Sequence, residues 1–289
     1  EREGFRAARP WGWAANGDWF YAVRAEKTEL VVLGVDGGGP PERVATRFPS
    51  ANRNPVWGPD GRLAYMSERG GGRRALVTRD LSNNEERELA ARLEPLDSVT
   101  WAANAKALVA GGMDPKSGKR GWWRVDAESG RMSELFAERE FAGEAAAAGF
   151  LTADGRTLFY ARGGEVRARD LVARTEERIA TASRFAVAPN GQAVAVAEAE
   201  RVVIHSGAAW KDTVNAALGG ATELSWGGRL LAGKESQLWT IDPLSGQVRV
   251  VRVPRNRLPG VSAHPAGDRI VMAVGETAAD LFSVRIAVR

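Results

Sequence analysis

Cysteine is absent from the 289-residue chain, and only two histidines occur, His205 and His264. Without cysteine there is no disulfide framework, no thiol nucleophile and no thiolate metal site. Two histidines exclude a histidine-rich metal cluster and leave little for acid–base catalysis. Long hydrophobic runs are missing as well, because the longest weakly polar stretch, residues 141–151, is rich in alanine and is interrupted by Glu144. The sequence therefore predicts no membrane-spanning segment and no metal centre built from these ligands.

A large excess of one charge is also missing. Forty Lys and Arg residues face 36 Asp and Glu residues, a formal net charge of +4 that is spread along the chain. A small, dispersed charge does not indicate nucleic-acid binding. A hydrophobic content of 44% with 26% charged residues is typical of a globular protein. The composition leaves the cellular compartment open.

A short repeated signature is the most informative feature of the chain. It consists of an apolar anchor residue, three turn residues and a glycine that precedes a hydrophobic run. Two of its copies, at Trp101 and Trp226, are degraded. The anchors are Trp13, Trp57, Trp101, Leu151, Val187, Trp226 and Ala263. Their separations of 44, 44, 50, 36, 39 and 37 residues match one four-stranded propeller blade per repeat.

The segments after each anchor support this interpretation. Turn glycines supply the positive φ that a tight hairpin needs, and strand-like runs follow them. The third run of a repeat often closes on an aspartate, and these residues are Asp36, Asp80, Asp126, Asp170 and Asp242. Because they recur with the repeat, we interpret them as acceptors for the following turn and not as catalytic carboxylates.

We therefore predict an all-β propeller, with seven blades and a single domain over residues 1–289. The seventh copy stops after its third strand at residues 281–286, and the spare segment Phe5–Ala8 is predicted to supply the missing fourth strand. Closing the ring in this way would remove the free sheet edges. A six-bladed ring is the competing interpretation, because the copies at Val187 and Ala263 have weak anchors.

The best copy, residues 55–70, reads Pro-Val-Trp-Gly-Pro-Asp-Gly-Arg-Leu-Ala-Tyr-Met-Ser-Glu-Arg-Gly. It resembles the TolB-like, PD40 (WD40-like) β-propeller family and departs from that repeat only at Gly58, where the family favours serine. The resemblance implies a binding scaffold. It extends to periplasmic adaptors, sensor domains and the propellers of prolyl-oligopeptidase-type peptidases, and it favours an exported bacterial domain. Fold analogy alone does not choose the partner.

The tryptophans and the basic loops are the candidates for contact with other molecules. Periodic anchor tryptophans are expected in the core. Trp122 and Trp123 are adjacent on one strand, so one of them is expected at the surface, while Trp11 and Trp210 fall outside the anchor register and are expected to be exposed. Basic residues concentrate in the loops of the second and third repeats. The candidate partner-binding residues are Arg53, Arg69, Arg73, Arg74, Lys116, Lys119 and Arg120.

These basic loops predict a positive patch beside the channel mouth that suits an acidic protein or peptide partner. The alternative is a set of solvated, glycine-rich loops. No Gly-x-Ser-x-Gly elbow, phosphate-binding loop or calcium loop occurs. We therefore predict a monomeric, non-catalytic binding scaffold without cofactor, which serves as a sensor or adaptor domain of a larger bacterial envelope or signalling protein. An enzyme or small-ligand binder that uses the channel, or a gating propeller of a peptidase, stays open as an alternative.

Overall fold

The computed structural model describes residues 5–13, 18–36, 40–48, 52–69, 73–89, 92–141 and 143–285, with backbone alone at 5–13, 18–27, 258–259 and 276–285. The described residues form six antiparallel sheets. The strands in chain order are β1 (Phe5–Trp13), β2 (Asp18–Gly34), β3 (Glu42–Arg43), β4 (Asn52–Trp57), β5 (Leu63–Arg69), β6 (Arg73–Arg79), β7 (Glu86–Leu89), β8 (Leu96–Trp101), β9 (Ala107–Met113), β10 (Arg120–Asp126), β11 (Met132–Glu138), β12 (Phe150–Leu151), β13 (Thr157–Arg162), β14 (Glu165–Asp170), β15 (Thr175–Thr181), β16 (Phe185–Val187), β17 (Ala193–Ala197), β18 (Val202–Ser206), β19 (Asp212–Ala216), β20 (Glu223–Trp226), β21 (Leu230–Lys234), β22 (Gln237–Ile241), β23 (Val248–Val251), β24 (Arg257–Ala263) and β25 (Arg269–Arg285).

Each sheet is one propeller blade whose strands run from the innermost, strand a, to the outermost, strand d. Blades 1 to 5 are β4–β7, β8–β11, β12–β15, β16–β19 and β20–β23. Blade 6 takes its inner strands β24 and β25 from the end of the chain and its outer strands β2 and β3 from the beginning. Short 3-10 turns at Arg139–Phe141 and Ala208–Trp210 lie between β11 and β12 and between β18 and β19.

Local sequence explains the hairpins within a blade. In blade 1, Gly61 has a φ of +83° in the turn between strands a and b, a value that glycine adopts without strain. In the turn between strands c and d, the Asp80 Oδ1 accepts hydrogen bonds from the Ser82 N–H at 2.8 Å and its hydroxyl at 2.6 Å. Asp126, Asp170 and Asp242 accept backbone N–H groups in the same turns of blades 2, 3 and 5. These aspartates therefore have the structural role that their periodicity predicts.

The prediction of seven blades is wrong, since the ring has six. The first and seventh sequence copies are two halves of blade 6, where β2 pairs with β25 over the whole register from Asp18 opposite Arg285 to Gly34 opposite Arg269. A blade made from both chain ends carries the repeat signature twice, so counting signatures overestimates the number of blades by one. The alternative of six blades is the one that the structure adopts.

The predicted closing strand is wrong in detail. Phe5–Ala8 lies in β1, which pairs with β2 and not with the terminal segment. Residues 281–285 are the far end of β25 and also pair with β2, while Ile286 lies outside the described residues. Within the described residues, β2 and the two-residue β3 supply the outer half of the closing blade. The chain ends do close the ring, but through longer strands than the repeat length suggests.

The core lies at the seams between neighbouring blades. Trp57 packs with Val32 and Val271 of blade 6, and Trp101 packs with residues of blade 1, so these two anchors are core residues as predicted. Trp122 and Trp123 are both buried, one in the seam with blade 3 and the other in the seam with blade 1. The expectation that one of them is a surface residue is wrong, because the two neighbouring blades cover both faces of a blade.

Candidate functional site

The topology gives the propeller two different faces. The turns from strand a to b and from c to d lie on one face, which we call the turn face. The loops from b to c and the connections from d to the next strand a lie on the other, which we call the loop face. The inner strands enter the ring from the loop face and end at the turn face with the anchor residues. The two predicted basic loops follow β5 and β9, so both lie on the loop face.

The six inner strands surround a central channel with a cavity of about 450 Å³. Apolar residues of every blade line it: Val56, Phe150, Phe185 and Leu224 are partly exposed, while Val99 and Val261 are buried in the seams. Polar groups on the wall are the hydroxyls of Ser98, Thr100, Ser225 and Ser262 and the amide of Asn54. Glu223 is the charged residue of the described lining. The channel is therefore a largely apolar cavity that a ligand can enter.

The Glu223 carboxylate is already used inside the protein. One oxygen pairs with the guanidinium of Arg257, whose side chain is 0% exposed. The other oxygen accepts the Gly260 N–H at 2.8 Å. Arg257 also donates to the carbonyls of Glu235 and Gln237 at 2.7 and 3.1 Å. This arrangement ties blade 5 to blade 6, so the Glu223 carboxylate has a structural partner on each oxygen.

Channel hydroxyls also connect neighbouring inner strands. Ser262 Oγ accepts the Trp57 N–H at 2.9 Å, and Ser225 Oγ accepts the Ala263 N–H at 3.2 Å. Thr100 Oγ1 donates to the carbonyl of Gly149 in the next blade. These bonds fix the backbone of the wall, and they leave the apolar side chains as the main surface for a ligand.

Most of the predicted basic residues have acidic neighbours. Arg69 pairs with Glu88 at 2.8 Å, and Lys119 pairs with Glu134 at 3.0 Å. Arg120 forms a double hydrogen bond with Asp97 at 2.9 and 3.1 Å. Arg53 and Arg74 approach Glu68 at 3.8 and 3.9 Å. The seven residues thus lie on one face, but five of them also have positions fixed by ion pairs.

Arg73 and Lys116 differ from the other five. Both are exposed, and in the part of the chain that the structure describes neither has an ion-pair partner. An exposed cation without a partner keeps its full charge available to a ligand. Of the predicted patch, these two side chains are therefore the best placed for contact with a partner.

Sequence inspection missed further cations on the loop face. Arg47, Arg92, Arg252 and Arg255 lie on the connections that join blade 6 to 1, 1 to 2, and 5 to 6, and all four are exposed. Phe48, beside Arg47, is 42% exposed. The connection that contains Arg47 was expected on this face, but Arg53 was the one residue of any connection in the candidate set, whose other members come from the loops between strands b and c. The alternation of loop and turn along each repeat places these connections on the same face and was available in the sequence.

Several ionisable side chains outside the channel take part in packing or in hydrogen bonds that hold the fold together. His264 stacks edge-on against Trp57 at 4.7 Å, and burial together with the nearby Arg269 lowers its pKa. Burial and the hydrogen bond to Glu176 raise the pKa of the Tyr160 hydroxyl. Backbone hydrogen bonds from Ser129 and Ala173 lower the pKa values of Asp126 and Asp170.

Among the described residues, no three His, Asp or Glu side chains come together as a metal site. No helix among them has the length and apolarity that a bilayer crossing requires.

Comparison with known proteins shows a likeness in fold. No protein-family profile and no curated protein sequence match this chain. TolB from Acinetobacter baumannii superimposes with a TM-score of 0.55 and 14% identity, over 88% of this chain and 66% of that one. A putative TolB from Agrobacterium tumefaciens gives a TM-score of 0.50 and 17% identity, over 94% and 90% of the chains.

A third similar structure is the β-propeller domain of the Trilobed protease from Pyrococcus furiosus, which is described as having an open velcro topology. It gives a TM-score of 0.51 and 15% identity over 97% of this chain and 93% of that one. The present chain spans slightly less than two thirds of the Acinetobacter protein, which it covers to 66%. These likenesses confirm the predicted TolB-like propeller resemblance, and at such identities they show the fold alone.

Proposed function

We propose that this propeller is a non-catalytic scaffold that binds a protein or peptide partner at its loop face. An apolar segment of the partner enters the channel, and acidic residues of the partner face the basic loops. The scaffold acts as a sensor or adaptor domain of a larger exported bacterial protein. The TolB-like fold supports this role, because related scaffolds are expected to display loops and not a reaction centre.

The chemistry of the channel carries the proposal. Catalysis by a propeller enzyme needs carboxylates, histidines or other reactive groups that converge on the cavity. Here the carboxylate in the described lining is Glu223, and Arg257 and the Gly260 N–H occupy its oxygens. The remaining wall is apolar or consists of hydroxyls, of which Ser225, Ser262 and Thr100 bond to the backbone of the next blade. Such a wall favours binding of apolar side chains through burial of surface.

A pair of matched substitutions tests the channel. Ala148 is exposed at the channel wall, whereas Ala145 is exposed on the same connection and does not line the channel. Peptides selected from a random display library on the wild-type protein would be assayed by fluorescence anisotropy on both variants. We expect Ala148→Trp to weaken binding at least about tenfold, or ~1.4 kcal/mol, and Ala145→Trp to leave it unchanged. Equal affinity for both variants, or a library that yields no binder, would overturn the proposal.

The basic loops are tested by reversing charge on each face. Arg73→Glu with Lys116→Glu changes the two cations of the predicted patch that have no described ion pair. Lys106→Glu with Arg131→Glu makes the same charge change at exposed positions of the turn face. We expect only the loop-face pair to weaken binding of the selected peptides, with a loss that shrinks at high salt because screening reduces the electrostatic contribution. An equal loss from both pairs would assign the effect to net charge and remove the loops from the site.

A further inference from the structure

Three consecutive connections on the loop face carry four exposed arginines that have no described ion pair. They join blade 5 to 6, blade 6 to 1 and blade 1 to 2. The exposed arginines on them are Arg47, Arg92, Arg252 and Arg255. In the described part of the chain none of these four guanidinium groups has an ion-pair partner, and Glu94 is the exposed acid on the same connections. We call these four arginines the cationic arc.

The backbone of the arc is held in place. The Val44 N–H donates to the Leu30 carbonyl, and the Arg47 N–H donates to the Glu86 carboxylate at 3.0 Å. Asn256 Nδ2 donates to the Gly275 carbonyl at 3.0 Å, next to Arg255. Leu93, next to Arg92, is buried in the seam between blades 1 and 2. Since the backbone is anchored, the Cα positions of the arginines are set before a ligand binds. The connections then lose little conformational entropy when the ligand binds.

The rest of the loop face is different in charge. Arg201 pairs with Glu198, and Arg162 approaches Glu144 at 3.9 Å. Glu138, Glu140, Glu200 and Glu235 are exposed on the loops and connections of blades 2 to 5. The opposite half also carries the exposed cations Arg139 and Arg184, so acidic and basic side chains are mixed there, whereas the seams of blades 5, 6, 1 and 2 carry an excess of positive charge. A partner would experience an oriented field across the channel mouth and not a uniform one.

Phe48 indicates which kind of anion the arc accepts. Its ring lies within the arc, and the guanidinium of Arg69 stacks on it at 3.9 Å while that of Arg47 lies 5.8 Å from its centroid. Arg69 is held by Glu88 at 2.8 Å, so one face of the ring stays covered. Single-stranded nucleic acid is bound through a series of aromatic faces on which successive bases stack, and Phe48 is the one aromatic residue among the described residues of the three connections. An acidic polypeptide needs no such platform and is bound by the guanidinium groups themselves.

We infer that the cationic arc binds an acidic, extended polypeptide segment that runs over the seams of blades 5, 6, 1 and 2. This inference rests on the proposed function and specifies where the acidic part of the partner lies. The segment pairs its carboxylates with Arg252, Arg255, Arg47 and Arg92 and leaves the channel mouth free for the apolar segment. The opposite half of the face, where acidic and basic side chains are mixed, attracts the same segment less.

The test uses defined probes. A fluorescent dodecapeptide of alternating Glu and Gly is titrated with the whole chain, beside a matched peptide of Gln and Gly and a single-stranded oligonucleotide of equal charge. We expect the Glu peptide to bind and the Gln peptide not to bind, with weaker affinity at about 300 mM than at about 50 mM salt. Binding of the oligonucleotide at least as tightly as the Glu peptide would overturn the assignment to an acidic polypeptide.

Variants locate the binding. Arg252→Glu with Arg255→Glu should weaken the Glu peptide about tenfold or more, ~1.4 kcal/mol, through loss of attraction and new repulsion. Arg139→Glu with Arg184→Glu makes the same charge change at exposed loop-face positions on the connections from blade 2 to 3 and from blade 3 to 4, and should change affinity less than twofold. Equal losses from both pairs would overturn the arc. If channel peptides still bind and respond to Ala148→Trp while the arc variants have no effect, the arc fails and the proposed function stands.

Discussion

Blade 3 packs apolar side chains against both neighbours, but its seam with blade 2 also carries several hydrogen bonds to backbone groups, whereas its seam with blade 4 carries few. At the seam with blade 2, Ser98 Oγ donates to the Ala146 carbonyl at 2.9 Å and Trp122 Nε1 donates to the Ala147 carbonyl at 2.8 Å. The Ala146 N–H donates to Asp97 at 3.0 Å. At the seam with blade 4, the described residues form one hydrogen bond, from Trp210 Nε1 to Glu177 Oε2 at 3.2 Å.

Side-chain size explains the difference. The segment 145–149 contains only alanine and glycine, so its backbone comes close enough to blade 2 to pair with side chains there. At Gly149 an added Cβ would lie 2.6 Å from Trp122 Cδ1. The seam with blade 4 is instead filled by bulky residues, among them Phe159 and Val187. The comparison teaches that small residues just before an inner strand let its backbone come close enough for hydrogen bonds to the neighbouring blade, in addition to the apolar area that both seams bury.

The largest expected effect comes from breaking the polar seam at Asp97. Asp97→Ala removes the partner of Arg120, whose side chain is mostly buried, and leaves the Ala146 N–H without an acceptor. We expect a loss of about 3–5 kcal/mol in the free energy of unfolding, measured by urea denaturation. Glu177→Ala is the matched change at the apolar seam and should cost less than about 1 kcal/mol, since it removes one exposed bond. A cost for Glu177→Ala that equals the cost for Asp97→Ala would contradict the comparison.

A smaller effect is expected from crowding the same seam. Gly149→Ala places a methyl group against Trp122 and Val109, and we expect a loss of about 1–3 kcal/mol. Gly143→Ala, on the same connection, is the control, because an added Cβ there meets no atom within 4 Å. Thermal unfolding of both variants measures the difference. If the two melting temperatures agree, close approach of the backbone does not hold this seam.

The smallest effect is expected at Trp210. Trp210→Phe keeps an aromatic ring near Phe159, which Trp210 meets edge-on at 5.6 Å, and removes only the bond to Glu177. We expect a loss of about 0.5–1.5 kcal/mol, seen as faster amide hydrogen exchange in blade 4 and not in blade 2. Faster exchange in both blades would show that the two seams open together and are not independent.

Acidic pH sharpens the contrast between turns in the two neighbouring blades. In blade 3, Asp170 caps the turn from strand c to d, and its lowered pKa means that the folded state binds the proton less readily than the unfolded chain. Its contribution is therefore present above the unfolded pKa and is lost as pH falls through the lowered folded value. Blade 4 replaces this aspartate by the turn Gly207 to Trp210, in which Ala209 and Trp210 have φ values of +53° and +56°. Hydrogen exchange at low pH should thus rise at the turn of blade 3 first.

Sequence reasoning found the fold class because a blade is a local unit. Each signature residue acts within one hairpin or at the seam between adjacent blades, as do Trp57, Gly61 and Asp80. Their pattern is therefore visible along the chain. The blade count was wrong because closure pairs residues from opposite ends, such as Asp18 with Arg285. No local pattern reports such a pairing.

The candidate site was predicted only in part for a similar reason. The basic loops were placed on the correct face by strand alternation. The ion pairs of Arg69 with Glu88 and of Arg120 with Asp97 depend on residues 19 and 23 positions apart in the sequence. Trp210 was expected to be exposed, but it packs against Phe159 of the neighbouring blade. The side chain of Trp11 lies outside the described residues.

The sequence by itself determined the antiparallel blades, the turn chemistry and the apolar seams, because period-two alternation and turn residues act over a few positions. The tertiary structure decided three further properties: the six-bladed closure, the pairing of Glu223 with Arg257, and the grouping on three consecutive connections of four arginines without an ion pair among the described residues. Each of these depends on residues that are distant along the chain and become neighbours only when the blades pack into a ring.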